Sequence, residues 1–227
     1  VSFMRVCVLY DDRSPLSLLL SRYVKWLFNT MWKIPVDLID TGKTRISKDL
    51  FFDGSVPHYS LIFLMSIIDG ENRLTASAWS VITNNISHVM PIVTGLYAVG
   101  IPEAQGLFGC KMPKDEDVRS ASVASHLLTE DVPETLQLWQ SAVTSTVNGG
   151  KALAWDSERA PNDGALLVVN EMNVWFGFKD FLSPSPSTGT LASLFCNLLR
   201  IIPQGFVRLK IPQTFIALRI DDVPFTT

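Results

Sequence analysis

Arg5-Val6-Cys7-Val8-Leu9-Tyr10, running straight into Asp11-Asp12-Arg13-Ser14-Pro15, carries the fold assignment. An unbroken apolar run of this length suits a strand covered on both faces rather than a half-solvated one. Ser14 then reads as a helix N-cap and Pro15 as the first helical residue, where a missing N–H costs nothing. Leu16, Leu19, Leu20, Tyr23, Leu27 and Met31 follow at helical spacing, which predicts a helix ending near Trp32. Pro35-Val36-Asp37-Leu38-Ile39-Asp40 is the second strand, broken by Thr41-Gly42. A strand, helix and strand in this order imply a right-handed crossover and parallel pairing.

The alternation continues outward from that unit. Tyr59-Ser60-Leu61-Ile62-Phe63-Leu64-Met65 is a third buried strand, residues 75–86 form a helix, and residues 89–94 form a fourth strand despite Pro91. Residues 111–118 are polar and charged, and residues 135–147 carry a helical pattern. Strands are expected at 151–155, 164–169 and 174–178, then a proline-serine loop at 183–187 and an apolar helix at 191–202 stopped by Pro203. These pieces predict an α/β, doubly wound, flavodoxin-like domain over residues 1–206, with a mostly parallel sheet flanked by helices. Composition shifts over Val207 to Pro212, and Thr214-Phe215-Ile216-Ala217-Leu218-Arg219-Ile220 opens a new strand. Residues 207–227 therefore read as a linker and the first strand of a second domain.

The 227 residues are 47% hydrophobic and 18% charged, enough apolar content for a large core and too little charge for disorder. A net charge of −3 without a basic run excludes nucleic acid as an expected partner. Cys7, Cys110 and Cys196 lie far from zinc-site spacing and are odd in number, so neither a disulfide framework nor a Cys-rich metal site is indicated. Cys7 and Cys196 sit in apolar runs and are expected in the core. No run approaches the roughly 18 apolar residues that would span a bilayer. The first residues enter a strand without the basic head of an export signal, so the compartment depends on which functional reading holds.

Pro91-Ile92-Val93-Thr94-Gly95-Leu96-Tyr97-Ala98-Val99-Gly100 resembles the nucleophile turn of the class I glutamine amidotransferase-like superfamily, ThuA-like members included, and the likeness in element order extends over residues 4–206. The resemblance implies a Gly-x-Cys turn delivered by a strand into a helix, with Tyr97 here at the cysteine position. A phenol with an ordinary pKa near 10 is a poor substitute for a thiolate. The three histidines, His58, His88 and His126, also leave the family's late triad histidine without a counterpart. The expectation is a degenerate amidotransferase-like domain with no active site of its own and no cofactor.

At the other end, Ala217-Leu218-Arg219-Ile220-Asp221-Asp222-Val223-Pro224 is an apolar strand tipped by two adjacent carboxylates. It resembles the first motif of NodB-type polysaccharide deacetylases, although Val223-Pro224 stands where glycine commonly follows. The resemblance implies Asp221 as catalytic base and Asp222 as ligand to a divalent metal, zinc or a similar ion, in a complete deacetylase. Neighbouring strand residues point to opposite sides, so the two carboxylates can serve different partners. The chain ends at Thr227 without the His-x-x-x-His pair such a site needs. The same two aspartates could equally be a capping pair at a solvated turn.

Three functions follow as expectations. One is the non-catalytic N-terminal accessory region of a polysaccharide deacetylase, with N-acetylated polysaccharide and a downstream catalytic domain as partners and an extracellular or cell-surface location. The second is a stand-alone degenerate module that binds a ligand or a protein, which is compatible with the cytoplasm. The third takes Asp11-Asp12 as the magnesium-holding pair of a receiver-like domain, against which stand Leu64-Met65-Ser66 ending the third strand and Asp69 placed too late. Among the six tryptophans, Trp155 and Trp175 are the candidates for stacking on a sugar because loops flank them, whereas tryptophan at regular spacing is more often core.

Overall fold

The computed structural model describes residues 4–130, 132–138, 141–179, 190–200 and 202. The first strand, β1 (Val6–Tyr10), is buried, and Ser14 caps α1 (Pro15–Lys25) by accepting a hydrogen bond from the Ser17 amide at 3.2 Å. A π-helical turn, Trp26–Met31, lengthens α1 and stops at Trp32, where the apolar periodicity also stops. After β2 (Val36–Asp40) come a short hairpin, β3 (Phe52–Asp53) and β4 (Val56–Pro57), and the buried β5 (Leu61–Leu64). Next are α2 (Ala76–Val81) with its own π-helical turn, Ile82–Ile86, and β6 (Ile92–Gly95). Pro91 stands just outside that strand, where its carbonyl accepts from the Ile62 amide at 3.0 Å.

The second half is richer in strands. It holds α3 (Pro102–Phe108), β7 (Cys110–Glu116), β8 (Ser120–Val123), β9 (Thr135–Gln137), β10 (Ala142–Val147), β11 (Lys151–Asp156), β12 (Ala165–Asn170), β13 (Asn173–Phe176) and α4 (Thr190–Leu198). The large sheet runs β2-β1-β5-β6-β13-β12-β11-β8-β9, with β10 joining it through β12 and carrying β7 on its other side. From β2 to β13 the pairing is parallel. Beyond β13 it is antiparallel. Because the chain moves from β1 to β2 in one direction and from β5 to β6 in the other, right-handed crossovers put α1 and α2 on opposite faces. The observed class is thus the doubly wound α/β fold expected, with an added antiparallel wing.

That wing corrects one expectation. Residues 135–147 hold β9 and β10 instead of a helix, because Val143, Thr144, Thr146 and Val147 are β-branched and gain more on a pleated surface than on a helical one. The charged 111–118 segment is also a strand for most of its length: Lys114 and Asp115 reach solvent, Glu116 is drawn in against Thr144 of β10 and Arg159, and β10 covers the backbone. One face of the sheet is sealed by an aromatic cluster: Phe195 of α4 meets Phe63 at 4.9 Å, Phe176 at 5.4 Å and Phe28 at 6.5 Å between ring centroids. Cys7 is buried as expected, whereas Cys196 is exposed on the same helix face as Ser193. The apolar run around Cys196 wraps the whole helix in sequence, but the core needs only part of its circumference. The 206/207 boundary lies outside the described residues.

Candidate functional site

In an open α/β sheet, ligands settle at the carboxyl ends of the parallel strands, where neighbouring connections diverge. Here that place is the rim formed by the ends of β1, β2, β5 and β6. The turn after β6 is sharp. A Cβ on Gly95 would lie 2.4 Å from the Phe176 carbonyl oxygen, so only glycine lets β6 approach β13 this closely. Leu96 follows with φ +49°, a left-handed conformation rare for leucine, and a 3₁₀ turn, Leu96–Gly100, leads into α3. A strained strand-to-helix turn is the kind of scaffold that presents a nucleophile. The strained position is occupied by an apolar side chain, one residue before Tyr97.

Tyr97 is tied down on every side. Its amide donates to the Ile68 carbonyl at 3.1 Å, and its Cβ sits over Gly70, whose φ is +84°. The phenol donates to the Asp115 carboxylate, and the Lys179 ammonium donates to that same carboxylate and, at 3.4 Å, to the phenol oxygen. Burial, then the bond to Asp115, pushes the Tyr97 phenol above its ordinary range, only partly offset by Lys179. Burial works against the Asp115 charge, but the bonds from Lys179 and Tyr97 prevail and hold its carboxyl below the usual range. Tyr97 is therefore a protonated hydrogen-bond donor at neutral pH, with no activated nucleophile in it.

The histidines do not come to this rim. His58 precedes β5 and His88 precedes β6, so both lie at the amino ends of parallel strands, opposite Tyr97. His126 caps the turn Leu127–Thr129, its ring nitrogen accepting from the Leu128 amide at 3.2 Å.

The remainder of the rim is closed by ion pairs. Asp11 is fully buried and gripped by Arg13, with Nε 2.9 Å from one carboxylate oxygen and a terminal nitrogen 2.6 Å from the other. That side-chain bond, foremost among the causes, keeps the Asp11 carboxyl below its usual range. Asp69 is held by Arg73, whose guanidinium lies 2.6 Å from its carboxylate, and by the Glu71 amide at 3.1 Å. Oxygens of Asp11, Asp12 and Asp40 lie within 4.8 Å of one another, a spacing a divalent cation could use. Lys43 already bridges two of them: its ammonium pairs with Asp12 and lies 3.0 Å from Asp40 Oδ2, an atom that takes no directed hydrogen bond. Ser66, just past β5, keeps a buried hydroxyl with no hydrogen-bond partner among the described residues.

Of the other residues singled out in the sequence, Trp175 is fully buried and its indole N–H donates to the Leu96 carbonyl at 3.1 Å, so it braces the turn and offers no face to a sugar. Trp155 is half-buried on β11. Asp221 and Asp222 lie outside the described residues. Sequence reading missed Asp115 and Lys179, which carry no local motif. It also missed Arg13 and Lys43, although a cation just past the end of each strand was a usable signal.

No family profile and no curated protein sequence matches the chain. Solved structures do. A ThuA-like protein from Bacteroides uniformis superposes with a TM-score of 0.65 at 13% identity, covering 88% of this chain and 91% of that one. A glutamine amidotransferase from Thermotoga maritima gives 0.55 at 11% identity, covering 88% and 98%. A β-galactosidase from Bacillus circulans sp. alkalophilus gives 0.58 at 10% identity, covering 87% of this chain but 31% of that one. What this chain shares with the ThuA-like proteins and the amidotransferase is their α/β fold.

Proposed function

We propose that this chain is the non-catalytic accessory region preceding a metal-dependent deacetylase that acts on N-acetylated polysaccharide. The observation that carries the non-catalytic half of this reading is the turn after β6: Leu96 fills the strained position, and Tyr97 is spent on Asp115 and Lys179. The carbohydrate half is supported by the sequence Leu218-Arg219-Ile220-Asp221-Asp222, which resembles the first motif of NodB-type deacetylases, and by a β-galactosidase in which this fold occupies about a third of the chain. In the complete protein Asp221 would be the base and Asp222 a ligand to a divalent ion such as zinc, which polarises the amide carbonyl and acidifies water. Among the described residues nothing supplies the remaining ligands. His58 and His88 lie at the amino ends of β5 and β6, and His126 is taken up by a cap. On this reading the metal chemistry belongs to a downstream domain, which would work outside the cell or at its surface.

The reading frame beyond Thr227 is expected to encode a His-x-x-x-His pair within about one domain length. The purified 227-residue chain is expected to release neither ammonia from glutamine nor acetate from an N-acetylated polysaccharide. Acetate release by this chain alone would overturn the assignment.

A second reading, a stand-alone module for a ligand or protein, is favoured by one observation: the fold accounts for 91% of the ThuA-like protein from Bacteroides uniformis, so it can make up nearly a whole chain. A stop codon at residue 228 would select it.

A further inference from the structure

We propose that His126 is an acid-released latch on α4: protonation of its imidazole frees the turn Leu127–Thr129 and, through Asn197, loosens the helix that seals one face of the sheet. The His126 Nδ1 accepts from the Leu128 amide at 3.2 Å, at the head of that turn. A ring nitrogen accepts only while it carries no proton, so the proton of the neutral imidazole sits on Nε2. Acid places an N–H at Nδ1, pointing at the amide N–H it had been receiving. An acceptor becomes a donor, and the amide loses its partner.

That turn is what α4 holds on to. Asn197 of α4 is buried, and its side-chain amide donates to the Leu128 carbonyl at 3.1 Å and to the Glu130 carbonyl at 2.8 Å. Leu128 therefore offers its amide to the histidine and its carbonyl to the helix. Thr129 steadies the turn from within, its amide donating to the His126 carbonyl at 3.0 Å and its hydroxyl to the Ala124 carbonyl at 2.6 Å. Packing beneath α4 is incomplete: a hollow bordered by Val93, Leu128, Val174, Leu191 and Phe195 lies between helix and sheet, and side chains facing a void lose contact attraction. The Asn197 bonds carry a correspondingly larger share of the attachment.

Burial, then the Lys151 ammonium of β11, opposes protonation of the ring and lowers its pKa below the ordinary histidine value. The latch is thus closed at neutral pH and opens as pH falls through that lowered value. On the segment after the turn, Glu130 pairs with Arg200 just past α4, and Glu134 is exposed. The strand β8 and helix α4 bring no charged side chain of their own to the turn.

The test is NMR on the 227-residue chain between about pH 7.5 and about pH 5, which brackets the histidine range. It reads the His126 ring nitrogens and the exchange protection of the Leu194 and Phe195 amides in α4, each relative to an open peptide at the same pH. The neutral ring is expected as the Nε2–H tautomer, and on protonation α4 protection should fall about fivefold, with one midpoint for both changes. His126→Asn, which keeps a capping oxygen that does not titrate, should hold α4 at its neutral-pH protection throughout, and His126→Ala should show the lowered protection throughout. Asn197→Ala should leave the ring titrating while α4 no longer responds. A native chemical shift for the Val168 amide in β12 reports an intact core in each variant. The proposal is overturned by an Nδ1–H tautomer at neutral pH, or by α4 protection in the parent that ignores pH. A fall that persists in His126→Asn or in Asn197→Ala also overturns it. Asp221 and Asp222 enter none of these outcomes, so this inference and the deacetylase reading fail separately.

Discussion

Asp115 receives hydrogen bonds from Tyr97 and Lys179, Asp11 is clasped by Arg13, and Asp69 by Arg73. Each of these carboxyls is held below its ordinary range. Glu116 joins them: burial resists its charge, but bonds from Lys114 and Thr144 and the nearby Arg159 win. A group whose folded pKa is depressed contributes stability that is complete above the unfolded value and is lost as pH falls through the folded one. His126, depressed by burial and then by Lys151, acts in the same direction, starting nearer pH 6.5. The urea midpoint is therefore expected to ease below about pH 6.5 and to fall steeply below about pH 4. Asp115→Asn should make the steep part slightly shallower, and equal midpoints at pH 7 and pH 3 in the parent chain would contradict the expectation. Solvent screening of the half-exposed Asp115 keeps its own share modest.

At the level of single elements, α1 shows how a local signal fixes where a helix starts. Ser14 accepts from the Ser17 amide as an ordinary cap, and its own amide donates to the Asp11 carbonyl at 3.2 Å, so the residue joins the end of β1 to the start of α1. Ser14→Ala should cost about 1 kcal/mol for the cap. The loss is read by denaturant titration, and Ser14→Asp, which keeps a capping oxygen but buries a charge near Asp11, should not recover it. A gain in stability for the alanine variant would refute this.

The cap, Pro15 and the period of apolar residues were readable because they act within one turn, and β1, β2, β5 and β6 were readable from their short apolar runs, whereas the small β3-β4 hairpin was not. The antiparallel wing was less so, since β9 and β10 owe their form to β-branched side chains packed against distant partners. Tyr97 was legible as an odd residue at a turn. Its partners were not, for Asp115 lies 18 residues away and Lys179 lies 82, and nothing local couples them.

Across the whole molecule, the sheet joins two kinds of construction. The β2-β1-β5-β6 part is assembled through helical crossovers, and the β13-β12-β11 part through short hairpins. They meet where β6 lies parallel to β13, with Val93 beside Val174 and the Ile92 amide donating to the Asn173 side chain across 81 residues of sequence. Among the described residues no helix is long and apolar enough to cross a membrane, and the core is continuous across this junction.

A seam stitched from such remote stretches charges its closure entropy up front, before either half gains from the other. The hairpin half can zip locally while it waits, so the seam is expected to form last. In pulse-labelled exchange during refolding, the amides of Val93 and Phe176 should acquire protection after that of Val168. If they lead, assembly starts at the junction and spreads outward.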